Sequence, residues 1–155
     1  MLTSAEERPR SHAWRSILAD AVWAAAIAGV LSGIPSTTWV FVTGGDLLEA
    51  GRAAGNLLLP ATASAGALLA MVGVAHAGVT AFWSVVLSAA LPRRHTLLWG
   101  AVFSLGIAAL DLGVIGQFFP LIKALAVGPQ IADHLAFGLV AAAVIAWRRR
   151  RRSAE

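Results

Sequence analysis

The chain has 155 residues, 58% of them hydrophobic and 13% charged, with a formal net charge of +4 and no cysteine; its mean hydropathy is +0.75. This composition excludes a water-soluble core with a polar coat and leaves room for one bundle rather than two domains. The absence of cysteine excludes disulfides, thiolate metal sites, thiol redox chemistry and c-type haem attachment.

An isoelectric point near 11.4 would suggest a nucleic-acid partner in a soluble protein. Here the basic residues sit in short clusters between apolar runs, where they orient helices in a membrane, and no nucleic acid is expected as a partner.

Residues 1–15 read as a short cytoplasmic tail, with Arg8, Arg10 and Arg15 ahead of the first apolar run. The first span is expected over about 16–36. A signal peptide is the competing reading, but the run is long for one and Val30, Leu31 and Ser32 make a poor cleavage signal, which favours an uncleaved helix. Pro35, following Gly33, is expected to end or kink this helix near Ser32. Ser36, Thr37 and Thr38 would then form an irregular turn at the outer interface, with Trp39 among the headgroups. Between residues 44 and 59, Leu47, Leu48, Ala50 and Ala54 suggest a short helix lying on that interface. The competing reading is a plain loop, because Gly44, Gly45, Gly51 and Gly55 all weaken a helix.

Residues 60–91 are almost uninterruptedly apolar or small, and the second span is expected over 61–91 with His76 near its middle. Pro92 ends it, and Arg93, Arg94 and His95 follow as a tight basic turn. A third span is expected over 96–119, interrupted by Asp111, and a fourth over 131–147. The fourth begins with Asp133 and His134, where the carboxylate is expected to cap exposed N–H groups. It stops at Arg148, Arg149, Arg150, Arg151 and Arg152, which open a basic cytoplasmic tail over 148–155. The predicted fold is an all-α membrane protein: an antiparallel bundle of four transmembrane helices, residues 16–147, with a short interfacial segment after the first helix.

Of the twelve lysines and arginines, only Arg52 and Lys123 fall on one side of this arrangement. The rest fall on the other, which places both termini in the cytoplasm; the expected setting is a bacterial inner membrane. Trp14, Trp99 and Trp147 lie at the predicted inner interface, whereas Trp23 and Trp83 lie deeper and read as packing residues. His12 and His95 read as solvated. Arg93, Arg94 and the five terminal arginines would meet anionic lipid headgroups.

Depth is the most informative quantity. With a rise of about 1.5 Å per residue, His76, Asp111 and His134 fall roughly 22, 22 and 20 Å from the cytoplasmic ends of their helices, and Ser32 at about 25 Å. Three ionisable groups on three helices thus share one layer, where each can offset the cost of burying the others. A small-residue stripe of Gly73, Ala77, Thr80, Ser84 and Ser88 marks a packing face on the second helix, and His76 beside it is expected to point into the bundle. Ala21, Ala25, Ala28 and Ser32 make a similar stripe on the first helix, and Ser104 and Ala108 lead up to Asp111 on the third.

Such a layer can pin helices in register, as in a membrane scaffold or accessory subunit, or relay protons in a transport-related component. From a different class comes a metal- or haem-dependent enzyme, with His76, His134 and Asp111 as ligands to zinc or iron, or with His76 and His134 as axial ligands to haem. Acyl transfer through Ser32, His76 and Asp111 is a weaker alternative, since no nucleophile elbow accompanies them. A larger complex or homo-oligomer fits the small enclosed volume of four helices.

Overall fold

The computed structural model describes residues 7–154, with side chains from Ala13 onward; the side chains of Arg8, Arg10 and His12 lie outside those described. Seven helices follow in order: α1 (Glu7–Leu31), α2 (Ile34–Thr43), α3 (Glu49–Gly55), α4 (Ala65–Ala90), α5 (Thr96–Gly113), α6 (Pro120–Lys123) and α7 (Val127–Arg152). A 3-10 turn, Ile115–Phe118, separates α5 from α6. No strand occurs among the described residues. Four segments are long and apolar enough to cross a membrane: Ala13–Thr43, Ala65–Ala90, Thr96–Phe118 and Val127–Arg152.

The first span continues past its expected end. Helix α1 breaks at Ser32 and Gly33, as Gly33 and Pro35 predict, but residues 36–38 then belong to α2 instead of an irregular turn. Pro35 occupies the first turn of α2, where a missing N–H costs nothing because no carbonyl one turn earlier needs it. Gly44, in the left-handed region at φ 71°, closes α2 by donating its N–H to Val40 O. Helix α3 is short and lies along α4, with Ala53 and Gly55 buried and Asp46 paired to Arg52. Helix α4 starts four residues later than expected, behind Ser64, whose side chain caps it by accepting from Ala67 N.

Helices α1 and α7 form the centre. Helix α1 packs on α4 and α7, α7 packs on α1 and α5, and α2 lies against α7. Consecutive in sequence and joined by a tight turn, α4 and α5 are nevertheless not packed along each other among the described residues. The order across the membrane-spanning segments is therefore second, first, fourth, third. Connection length predicts neighbours; here helix faces decide instead.

The contact between α5 and α7 shows why. A Cβ built on Gly100 would lie 2.5 Å from the Ala142 Cβ and 2.8 Å from Gly138 O, and one built on Gly138 would overlap the Ser104 Oγ. Only glycine lets these two backbones meet, and the Ser104 hydroxyl turns inward along its own helix to donate to Gly100 O at 2.6 Å. The apolar core lies toward the arginine-rich end, where Ala24, Ala28, Leu87, Leu91, Phe137, Ala141, Ala142, Val144 and Ile145 are buried. Trp83 packs against that core, as expected. Trp23 does not: it is 51% exposed on the outer surface.

Candidate functional site

The break in the first span leaves backbone groups that a continuous helix would have paired. On its α1 side, the carbonyl of Gly29 accepts from the Ser32 hydroxyl at 3.2 Å and from His76 Nε2 of α4 at 2.8 Å. On its α2 side, the N–H of Ser36 donates to Asp133 Oδ1 of α7 at 2.9 Å. A donor thus stands at the carbonyl end of one half-helix and a carboxylate at the N–H end of the other, each on the side its dipole favours. The break falls inside a segment long and apolar enough to cross a membrane, and neighbouring helices supply these partners. Asp133 is therefore not a cap for its own helix: α7 begins six residues earlier, at Val127, and the carboxylate serves α2 instead.

The next residue of α7 faces the other way. His134 Nδ1 lies 2.7 Å from Gln130 O, and its Nε2 lies 3.1 Å from Asp111 Oδ2 of α5. A carbonyl oxygen only accepts, so Nδ1 carries a proton and donates it. The contact between Nε2 and Oδ2 then needs one further proton, held by either the imidazole or the carboxylic acid. Both assignments place a single proton between the two groups, and the pair is net neutral in the first-order sense that the charges cancel whichever atom holds it. The two side chains are 19% and 23% exposed.

The four residues expected to share one cluster are therefore divided. Ser32 and His76 meet at Gly29, Asp111 and His134 meet each other, and no hydrogen bond joins the two sets among the described residues. Asp133 stands between them, within electrostatic reach of both histidines. His76 reaches Gly29 from an exposed position instead of pointing into the interior, and of the α4 stripe only Thr80, Ser84 and Ser88 are buried while Gly73 and Ala77 are exposed. The reason is that α4 has α1 and α3, but not α5, on its flanks. The hydroxyls of Ser84 and Ser88 are buried with no hydrogen-bond partner.

These contacts also bear on the other chemistries. No three His, Asp or Glu side chains are grouped for a metal ion among the described residues, which separates His76 from the Asp111 and His134 that a shared first shell would need. Ser32 and His76 both donate to one carbonyl, so they do not form a nucleophile and base. Asp111 orients His134, not His76.

A second polar site at the opposite end was only half visible in the sequence. Asp20, 2% exposed, accepts from Arg148 Nε at 2.8 Å and from both terminal nitrogens of Arg152 at 2.6 Å. Arg149 donates to Leu91 O at 2.8 Å and to Ser88 O at 2.9 Å, closing the carbonyl end of α4. The arginines expected beyond the fourth span are thus its last helical turns, and three of the five are bonded within the protein. Arg148 and Arg152 are four residues apart, hence on one face of α7. The position of Asp20 one turn inside a basic helix end was the signal for them.

Comparison of the chain with protein-family models, with curated protein sequences and with solved structures gave no match.

Proposed function

We propose that the protein is a small multi-pass membrane component of scaffold or accessory type, whose polar layer holds a broken first span in one shape. The observation that carries this is the pairing of both ends of the break by side chains from two other helices, His76 to Gly29 O and Asp133 to Ser36 N. An antiparallel arrangement of the spans, both termini in the cytoplasm and a bacterial inner membrane complete the reading; the distribution of lysine and arginine supports the orientation. Spin labels on cysteines introduced at Leu18 and Val42 test it, in a chain that has no cysteine of its own. Asp133→Ala and His76→Ala should each broaden the distance distribution between α1 and α2. An unchanged, narrow distribution in both would defeat the staple role.

The Asp111 and His134 pair favours a second reading, transport-related proton exchange, because it holds one proton between two titratable atoms at membrane depth. Purified protein in vesicles with an internal pH dye would show a proton flux that Asp111→Asn and His134→Gln abolish. No flux above empty vesicles would leave the scaffold reading alone.

A further inference from the structure

Arg93, Arg149 and Arg150 line one cavity of about 340 Å³ between the start of α5 and the end of α7, with Thr96 and Ser153 beside them. Among the described residues, none of the three is paired with a carboxylate. Asp20, whose charge reaches Arg149, is already bonded by Arg148 and Arg152, and the carbonyls that hold Arg149 fix its guanidinium without neutralising it. Arg93 is carried on an equally fixed turn, because the Thr96 hydroxyl reaches back to Pro92 O at 3.0 Å and Arg93 O at 3.2 Å. Two rigid elements therefore bring like charges to one concavity, with Arg93 and Arg149 within electrostatic reach of each other and Asp20 offsetting part of their repulsion. That arrangement costs free energy unless an anion enters it.

We propose that this cavity binds the phosphate of an anionic phospholipid headgroup. A guanidinium is the group best matched to phosphate oxygens, through paired N–H donors. The lipid is favoured as the source because the cavity lies at the ends of two segments long and apolar enough to span a membrane, where headgroups would lie. The proposal rests on the membrane reading but not on the staple or the proton pair.

The test uses the full chain purified in detergent, with phosphatidylglycerol added back and binding read by native mass spectrometry and by the shift in thermal unfolding. The pair Arg93→Gln and Arg150→Gln should bind phosphatidylglycerol at least about tenfold more weakly, about 1.4 kcal/mol. The pair Arg94→Gln and Arg151→Gln removes the same charge outside the cavity and should retain most of the binding. Equal losses in the two pairs would mean diffuse attraction to a basic surface and would overturn the proposal. Inorganic phosphate that stabilises the protein as well as the lipid, and displaces it, would overturn the lipid as the occupant. Arg149 is left intact because it also anchors α4, and unchanged helical content by circular dichroism confirms that both pairs fold. Failure of the spin-label test with success here would remove the staple while keeping the lipid site.

Discussion

The carboxylate of Asp133 accepts from the backbone N–H of Ser36, a residue 97 positions earlier in the chain, at 2.9 Å. One helix thereby supplies the N-terminal cap that another lacks, since Gly33 at the start of α2 has no side chain to offer. Asp133→Ala should leave that N–H unsatisfied and destabilise the protein by about 1 to 3 kcal/mol. Asp133→Asn keeps a carbonyl acceptor and should cost less than half as much. Thermal unfolding in detergent decides; equal losses for the two variants would mean that charge, not the hydrogen bond, matters at this end.

Double-mutant cycles distinguish a single cluster from two. Asp111→Asn and His134→Gln should couple by about 0.5 kcal/mol or more, because they touch at 3.1 Å. His76→Ala combined with Asp111→Asn should instead be additive to within about 0.5 kcal/mol, as their partners are Gly29 and His134. Strong coupling between His76 and Asp111 would show that the two sets move together after all.

What the sequence disclosed about this layer was depth, and what it withheld was azimuth. A rise per residue fixes how far His76, Asp111 and His134 lie from a boundary, but which of them face one another depends on how each helix is rotated and which helices are neighbours. The tight turn at 92–95 predicts that α4 and α5 pack together; the Gly100 and Gly138 contact draws α5 to α7 instead. Asp133 was visible as a helix-start carboxylate, yet α7 starts earlier because its first residues, Val127 onward, are compatible with a helix despite Gly128 and Pro129 in its first turn. Four spans, by contrast, follow from hydropathy and length alone.

The α5 and α7 contact leaves no room for added volume. Gly138→Ala should destabilise by about 1 to 3 kcal/mol, since its Cβ overlaps Ser104 and lies 2.6 Å from Gly100 O. Adding Ser104→Gly should recover only part of the loss, because the Gly100 carbonyl stays where it is. Full recovery, measured by unfolding in detergent, would mean that the backbones have room to spare.

Outside the membrane-spanning segments, the hydrogen bond from Arg52, with a second from the Leu48 N–H, holds the Asp46 carboxyl below the usual carboxylate range. A lowered folded-state value means that this pairing supports the fold at pH above the ordinary Asp value and is lost as pH falls through the lowered one. The protection of the α3 amides relative to their intrinsic exchange rates should therefore hold at neutral pH and fall only in strong acid. Asp46→Asn should remove the pH dependence; the same acid transition in that variant would place its origin elsewhere.

At the other end, the buried carboxylate of Asp20 meets two arginines of α7, with Arg148 and Arg152 side chains 22% and 37% exposed. Asp20→Leu leaves both guanidiniums facing an apolar residue. Because each is partly exposed and can turn toward headgroups, the cost should fall at about 1 to 3 kcal/mol, below that of breaking a fully buried pair. The loss should be local before it is global: hydrogen exchange over residues 146–154 should quicken while that of α5 does not. Replacing all three, Asp20→Leu with Arg148→Met and Arg152→Met, removes the guanidiniums together with the carboxylate and should recover part of the stability, since apolar packing can substitute for a buried ion pair. If the triple variant is no more stable than Asp20→Leu, the arginines hold α7 by contacts other than Asp20, and the carboxylate is not what fixes that helix end.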